Sequence, residues 1–226
     1  MTAKVAQEFT KDWFSHNIAT WEKIFAEHKD KKDLRYLEIG AFEGRSASWL
    51  LTNILTDPSC TIECADLFTA TEHGDYYATF LKNIAPWHER VVVHSGPSFD
   101  TLSRIRNDFD AIYVDGWHSA YGVLADAVMS WPRLKVGGLM VFDDYLWIPE
   151  ELKARKKPNL VQHVVGPLRG HSPRAWARRR IIEDFPSECP KAGVDGFLAT
   201  VDGYYDIVSS GYQLAIRKTR NFGQVL

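Results

Sequence analysis

Short apolar runs alternate with amphipathic segments along most of this chain. Each short run is rich in β-branched or aliphatic residues, and each following segment repeats apolar positions every few residues. The first pattern predicts buried strands and the second predicts helices. The predicted strands span 34–39, 61–66, 90–96, 110–116 and 139–145, and the predicted helices span 45–55, 76–84, 99–105 and 121–131. Strands that are apolar on both sides and alternate with helices predict a parallel, doubly wound α/β sheet.

The two ends of the chain follow different patterns. Within residues 5–28, large apolar side chains at near-helical spacing predict a helical N-terminal cap: Phe9, Trp13, Trp21 and Phe25. Near the C-terminus, GVDGFLATV predicts a helix, and YYDIVSSGYQLAIRK contains two alternating runs joined by Ser-Ser-Gly, which predicts a hairpin. We therefore expect a mostly parallel, seven-stranded sheet that is closed by an antiparallel C-terminal hairpin.

Composition and charge exclude several classes of protein. The 226 residues are 45% hydrophobic and 25% charged, as in an ordinary globular domain. A net charge of −2 gives no reason to expect nucleic acid or a membrane as the partner of the whole chain. The 3 cysteines are odd in number and lack metal-type spacing, and no signal peptide or membrane-spanning run is evident. We expect a single-domain, cytoplasmic protein.

Glycines and acids follow the predicted strands in the loops EIGAFEGRS, ADLF, HSGPS, VDGWH and FDDY. Ligands of open α/β sheets bind beyond these carboxyl ends. The glycines at 40 and 44 fit a ligand-binding turn as well as a plain tight turn. Phe42 stands where a dinucleotide loop needs its middle glycine, which disfavours a pyrophosphate grip. Asp66 closes the second strand, where an acid can bind ribose hydroxyls or simply cap a helix.

A second group of polar residues follows the fourth and fifth predicted strands. Asp115, Asp143 and Asp144 should converge at one edge of the sheet, where Mg²⁺ or another divalent cation would relieve their repulsion. The alternative is that Asp143 caps a helix and Asp115 pairs with a lysine. His118 lies three residues after Asp115. An imidazole with the ordinary histidine pKa of ~6.5 suits a general base that deprotonates a metal-bound hydroxyl.

These loops resemble those of class I S-adenosylmethionine-dependent methyltransferases, of the small O-methyltransferase type that includes catechol and antibiotic-sugar O-methyltransferases. The resemblance runs from about Leu34 to the C-terminal hairpin. It implies that LEIGAFEGRSA borders the methionine and ribose parts of the cofactor, and that SGPS lies by the adenine. The cofactor residues that it implies are Glu38, Gly40, Ala41, Phe42, Gly44, Ser46, Asp66, Leu67, Gly96, Ser98, Asp115 and Trp117.

The same resemblance implies the catalytic residues. VDGWH is similar to the loop whose aspartate binds Mg²⁺, and FDDY resembles the acidic pair that completes the metal site. The implied metal ligands are thus Asp115, Asp143 and Asp144, and Asp115 also counts among the catalytic residues. Where the catechol enzymes have a lysine base, this chain has His118. We expect methyl transfer to a hydroxyl of a small molecule; the alternatives are metal-independent transfer to nitrogen or carbon, or a binding module.

The expected organisation is one methyltransferase domain in four parts: the cap (1–32), the cofactor-binding core (33–145), a basic insert or lid (146–190), and the closing helix and hairpin (191–226). The stretch 151–180 holds one acid and nine basic residues: Lys153, Arg155, Lys156, Lys157, Arg169, Arg174, Arg178, Arg179 and Arg180. This insert fits recognition of an anionic acceptor, a solvated helix with pairs such as Arg179–Glu183, or, more distantly, nucleic acid. The cap aromatics Trp13, Phe14 and Trp21 fit either a homodimer interface or the core.

Overall fold

The computed structural model of the protein describes residues 7–69, 75–155 and 173–223. In these ranges the helices are α1 (Ile18–Ile24), α2 (Arg45–Asn53), α3 (Tyr76–Ile84), α4 (Ser98–Arg104), α5 (Ala120–Ser130), α6 (Glu150–Arg155), α7 (Pro173–Asp184) and α8 (Pro190–Thr200). The strands are β1 (Arg35–Ile39), β2 (Thr61–Asp66), β3 (Val91–Ser95), β4 (Phe109–Val114), β5 (Leu134–Phe142), β6 (Tyr205–Ser210) and β7 (Leu214–Lys218).

The strands form one seven-stranded sheet in the order β3-β2-β1-β4-β5-β7-β6. The first five strands in the chain are parallel to one another, whereas β7 is antiparallel to both β5 and β6. Strand order reverses beside β1, because the chain first moves to β2 and β3 and then returns to β4. The expected fold class, a parallel α/β sheet closed by an antiparallel hairpin, is confirmed.

Three local predictions differ from the structure. β5 begins at Leu134, five residues before the predicted start, because residues 135–137 are exposed and give no apolar run. It ends at Phe142, so the FDDY acids lie in a turn rather than in the strand. In the C-terminal hairpin, both serines of Ser-Ser-Gly belong to β6, and the turn is closed by a 2.9 Å hydrogen bond from the Gly211 amide to the carbonyl oxygen of Gln213.

The N-terminal cap contains less helix than the spacing predicted. Its regular helix is limited to α1, flanked by short 3-10 turns at Ser15–Asn17 and Ala26–His28, while residues 7–14 form no helix. Phe14 and Trp21 are buried in the core, and Trp13 is 60% exposed. For Phe14 and Trp21 the core interpretation therefore holds.

The core lies on both faces of the sheet. On one face, Trp21 and Phe25 of the cap pack with Phe80 of α3. On the other face, Trp131 after α5 packs edge-to-face on Phe197 of α8, with ring centroids 5.4 Å apart. These two layers pack on the sheet, and the carboxyl ends of its parallel strands lie side by side at one edge. Among the described residues, no helix is both long and apolar enough to span a membrane.

Candidate functional site

A cleft of about 970 Å³ opens at the carboxyl ends of the parallel strands. Such a volume lies within the range of small-molecule binding sites. Its position agrees with the rule that α/β sheets bind ligands where the strand order reverses. The residues that line it are Trp13, His16, Ile39, Gly40, Phe42, Ala65, Asp66, Leu67, Pro97, Ser98, Asp115, Gly116, Trp117, His118, Asp143, Asp144, Trp147 and Tyr212.

The glycine turn after β1 passes very close to the end of β4. Gly40 has a φ of +91°, and a Cβ at this position would lie 1.9 Å from the carbonyl oxygen of Asp115. Only glycine fits here, because any side chain would collide with backbone. Two residues later Phe42 also has a positive φ, +45°, and its ring faces Trp13 at 5.0 Å between centroids. The turn therefore forms the floor of the cleft between β1 and β4.

Asp66 at the end of β2 is held in a fixed orientation on the cleft wall. One carboxylate oxygen accepts a 2.8 Å hydrogen bond from the amide of Phe42, and the other accepts bonds from the amide of Phe68 (3.0 Å) and the hydroxyl of Tyr76 (3.1 Å). An acid in this place can accept further hydrogen bonds from a ligand, because each oxygen carries more than one lone pair.

Asp115, His118 and Asp144 form the polar centre of the cleft. The ring of His118 lies between the two carboxylates, with Nε2 3.3 Å from Asp115 Oδ1 and Nδ1 3.4 Å from Asp144 Oδ2. Ligand atoms of the three side chains lie within 4.8 Å of one another. This arrangement brings three predicted residues to one point.

Burial and mutual repulsion change the proton affinity of this cluster. Burial raises the pKa of Asp115 to about 8, and the charge of Asp143 adds to the rise. Burial and Asp143 also raise the pKa of Asp144. Burial alone would lower the pKa of His118, but hydrogen bonding and charge from Asp115, with the charge of Asp144, outweigh it and raise the pKa to about 9. The cluster therefore retains protons at neutral pH, and the imidazole of His118 lies between two acids whose own pKa values are raised.

Asp143 lies next to Asp144 in the chain, but neutral donors hold its carboxylate. It accepts hydrogen bonds from the hydroxyl of Tyr113 (2.7 Å) and from the amide group of Gln213 (2.8 Å). Gln213 in turn accepts a 2.9 Å bond from the indole of Trp21 in the cap. Asp143 thus connects β4, the residue before β7 and the cap, while it still borders the cleft.

Several of the residues predicted from the sequence line this cleft and others do not. Those that line it are Gly40, Phe42, Asp66, Leu67, Ser98, Asp115, Trp117, His118, Asp143 and Asp144. Outside the lining lie Glu38, Ala41, Gly44, Ser46 and Gly96. Glu38 is fully buried and accepts a hydrogen bond from the hydroxyl of Ser46. Ala41 and Ser46 border a smaller cavity of about 50 Å³, which shares Gly40 and Phe42 with the cleft.

The sequence did not point to two cleft residues from the cap, Trp13 and His16. Their segment is attached to the glycine turn because Glu43 accepts two 2.7 Å bonds from Thr10. The ring of His16 lies 5.6 Å from that of Tyr212, whose hydroxyl donates to Asp144. No local pattern at these positions indicates a site, since the path of residues 7–17 depends on tertiary contacts.

Only part of the basic insert can be compared with its predictions. Residues 156–172 lie outside the described residues, as do the side chains of Arg155, Arg174 and Trp176. In α7, Arg179 forms the expected ion pair with Glu183, at 2.9 Å between Nε and Oε1. At this pair the interpretation as a solvated helix face is confirmed.

Comparison with known proteins agrees with this geometry. Residues 37–145 match a family model described as a methyltransferase domain. An uncharacterized protein of Acanthamoeba polyphaga mimivirus is 30% identical over 138 residues, which is 57% of this chain and 60% of that protein. The match therefore spans less than two thirds of the length of that curated relative.

Three solved structures illustrate the fold. The methyltransferase PaMTH1 of Podospora anserina, bound to SAH, has a TM-score of 0.54 at 17% identity over 86% of this chain and 76% of that one. The O-methyltransferase from Bacillus cereus in complex with SAH has a TM-score of 0.54 at 16% identity over 94% and 84%. MycE from the mycinamycin biosynthetic pathway, in complex with Mg, SAH and mycinamycin VI, has a TM-score of 0.58 at 16% identity over 96% and 53%.

At these identities the structures show a shared fold, and the family model supplies the link in sequence. The matched segment 37–145 contains the glycine turn, Asp66 and all members of the Asp115, His118 and Asp144 cluster. Over residues 37–145 this chain therefore matches a methyltransferase domain, and it shares its fold with methyltransferases that bind SAH.

Proposed function

We propose that this protein transfers a methyl group from S-adenosylmethionine to a hydroxyl oxygen of a small molecule, with the help of a divalent cation. One observation carries the proposal: a single cleft joins the glycine turn and Asp66 at one end to the Asp115, His118 and Asp144 cluster at the other. Methyl transfer needs a donor and an acceptor held in line, and positioning of this kind contributes about 7–11 kcal/mol to lowering a barrier.

The glycine turn and its neighbours fit the nucleoside and amino-acid parts of the donor. Along the sheet edge, Gly40 follows β1, Asp66 ends β2 and Ser98 begins the helix after β3. All three line the cleft. Asp66 would bind the ribose hydroxyls, since its carboxylate is already oriented by backbone amides.

The polar cluster fits a hard divalent cation. Two carboxylates and an imidazole offer ligand atoms within 4.8 Å of one another, and the acids otherwise repel each other. Asp115 and Asp144 would hold the cation, and Asp143 would support them from its buried position. Such a cation, when bound, supplies positive charge that lowers the pKa of a hydroxyl it touches.

His118 is the candidate general base. Its ring lies beside both acids and packs on Trp147, at 5.5 Å between centroids. The pKa of His118 is raised by the carboxylates, so their neutralisation would return it toward the range in which an imidazole accepts protons at neutral pH. His118 would then take the proton of the acceptor hydroxyl as the oxygen forms its bond to the methyl carbon. The bond between that carbon and the sulfonium sulfur breaks in the same step, and S-adenosylhomocysteine leaves.

The acceptor end of the cleft is aromatic and acidic. Trp13, His16, Trp147 and Tyr212 line it together with the acids, and no lysine or arginine occurs among the described lining residues. This composition favours an uncharged hydroxylated acceptor over one that is recognised by its own negative charge. An anionic acceptor would need cations from parts of the chain that lie outside the described lining.

Calorimetric titration of S-adenosylmethionine and S-adenosylhomocysteine, with and without Mg²⁺, tests the proposal. Micromolar binding of both, followed by turnover of hydroxylated acceptors that a chelator abolishes, is the expected result. Donor binding with turnover that is insensitive to chelator would favour the metal-independent alternative with His118 as base. Absence of donor binding under either condition would overturn the proposal.

A further inference from the structure

Two successive residues of the C-terminal hairpin turn hold the two successive acids that follow β5. The hydroxyl of Tyr212 donates a hydrogen bond to Asp144. The side-chain amide of Gln213 donates to Asp143 at 2.8 Å. The backbone carbonyl oxygen of Tyr212 also accepts a 3.3 Å hydrogen bond from the amide of Leu146. The turn after β5 is therefore fixed to the hairpin by backbone and side-chain contacts.

The contact with Tyr212 gives the two oxygens of Asp144 different surroundings. Oδ1 accepts the hydrogen bond from the hydroxyl, whereas Oδ2 lies 3.4 Å from Nδ1 of His118. Asp115 has a similar arrangement. Its Oδ1 lies 3.3 Å from Nε2 of His118, and its Oδ2 lies 3.1 Å from the hydroxyl of Tyr113. Each acid of the cluster therefore directs one oxygen toward His118 and has a tyrosine hydroxyl against the other.

The hydroxyl of Tyr212 is a fixed donor. Burial raises the pKa of Tyr212, and the hydrogen bond to Asp144 and the charge of that acid add to the rise, so the hydroxyl keeps its proton at neutral pH. The ring lines the cleft and packs edge-to-face against His16 of the cap, at 5.6 Å between centroids. These contacts hold the hydroxyl against the carboxylate.

The number of oxygens that a carboxylate offers affects which divalent cation it binds. Ca²⁺ takes about six to eight oxygen ligands and can bind both oxygens of one carboxylate. Mg²⁺ is smaller, requires a nearly octahedral set of ligands, and usually keeps several waters beside one or two carboxylates. An acid that offers one oxygen from a fixed position therefore suits Mg²⁺ better than Ca²⁺.

We propose that Tyr212 determines the cation specificity of the cluster: it occupies Oδ1 of Asp144, leaves Oδ2 as the single ligand oxygen of that acid, and so favours Mg²⁺ over Ca²⁺. The inference rests on the proposed function, because it concerns the cation that the cluster would hold. Tyr212 acts through Asp144 and is a positioning residue. Without the hydroxyl, Oδ1 is free to bind a cation together with Oδ2.

The test is Tyr212→Phe, which removes the hydroxyl and keeps the ring. Water-proton relaxation follows the binding of Mn²⁺, and displacement of Mn²⁺ by Mg²⁺ or Ca²⁺ yields the dissociation constants of both cations. We expect the wild type to bind Mg²⁺ more tightly than Ca²⁺. In Tyr212→Phe the affinity for Mg²⁺ should fall by at least about tenfold, as when other outer-shell partners are removed. The affinity for Ca²⁺ should be kept or increased, because the freed oxygen offers it a further ligand.

Tyr205→Phe is the matched control, because Tyr205 is a half-buried tyrosine of the same hairpin that does not line the cleft. It should keep the wild-type ratio of the two dissociation constants. Thermal unfolding of both variants reports whether the hairpin still folds. The preference of the wild type is a second measurement, which needs no variant.

A purely structural role of Tyr212 predicts that its loss weakens both cations alike. Equal weakening, an unchanged ratio in Tyr212→Phe, or a wild type that binds Ca²⁺ more tightly than Mg²⁺ would overturn the inference alone. A wild type that binds none of the three cations would overturn it together with the metal-dependent part of the proposed function.

Discussion

Tyr113 donates a 2.7 Å hydrogen bond to Asp143, and the same hydroxyl lies 3.1 Å from Asp115. A phenol has one proton, so Tyr113 can donate to only one of these two carboxylates. Its contact with Asp115 is favourable when Asp115 carries a proton of its own, in agreement with the raised pKa of that acid. Tyr113 thus lies between Asp143, which neutral donors hold, and Asp115, which belongs to the cluster with His118.

Tyr113→Phe should lower the stability of the protein. The change leaves the shape of the buried ring almost unaltered but removes the closest donor to Asp143. Loss of a hydrogen bond to a buried acid costs about 1–3 kcal/mol, measurable by denaturant unfolding. Tyr121→Phe, on an exposed ring, is the control and should change stability little. Equal stabilities of the two variants would contradict this role of Tyr113.

Asp143→Asn and Asp144→Asn should have different effects on metal binding and on thermal stability, although the two residues are adjacent. Asp144 belongs to the cluster with His118, whereas Asp143 is held by Tyr113 and Gln213. We expect Asp144→Asn to weaken Mn²⁺ binding by at least about tenfold, since even outer-shell changes have effects of that size. Asp143→Asn should weaken Mn²⁺ binding less and lower the melting temperature more. Water-proton relaxation with Mn²⁺ and thermal unfolding measure the two effects, and the reverse order would refute the assignment.

His118→Asn should slow methyl transfer without weakening donor binding. General base catalysis contributes about 10²–10⁴-fold, so a loss of at least about 100-fold in single-turnover rate is expected. The dissociation constant of S-adenosylhomocysteine should stay within about twofold of wild type. His88→Asn, at an exposed position away from the cleft, should behave as wild type. A variant of His118 that keeps its rate would exclude it as the base.

The sequence predicted the location of the site but not its finer arrangement. Asp66 ends β2 and Asp115 directly follows β4, and parallel strands bring their carboxyl ends together at one edge of the sheet. The different surroundings of Asp143 and Asp144 depend on a turn in which Asp144 adopts a φ of +53°. His16 reaches the cleft because contacts distant in sequence hold residues 7–17 against the glycine turn. The spacing of apolar residues in that segment does not predict these contacts.

Glu38→Gln should change the pH dependence of stability. Burial raises the pKa of Glu38 from its usual 4.5 to about 8, against hydrogen bonding from Ser46, which lowers it. Between these two values the folded protein holds a proton that the unfolded chain has lost, so the free energy of unfolding falls as pH rises. Glutamine cannot ionise and removes this contribution.

The stability of Glu38→Gln relative to wild type should therefore increase from about pH 4.5 to about pH 8 and then level off. Chemical unfolding at several pH values measures the difference. Glu150→Gln, at an exposed position, is the control and should follow the wild-type profile. A constant difference across this pH range would show that Glu38 is ionised throughout.

Gly40→Ala should be among the most damaging small substitutions in the chain. The added methyl group would lie 1.9 Å from the carbonyl oxygen of Asp115, and the positive φ of +91° disfavours it as well. We expect a loss of more than about 3 kcal/mol in the free energy of unfolding, or failure to fold, because backbone must move at the centre of the sheet.

Gly196→Ala is a matched comparison, since no atom lies within 4 Å of its added methyl group and the residue is helical. That variant should gain about 0.5–1 kcal/mol, because alanine favours helix and loses less entropy on folding. Thermal and chemical unfolding of both variants would check the contrast, and a mild effect at Gly40 would mean that β1 and β4 are farther apart than the structure places them.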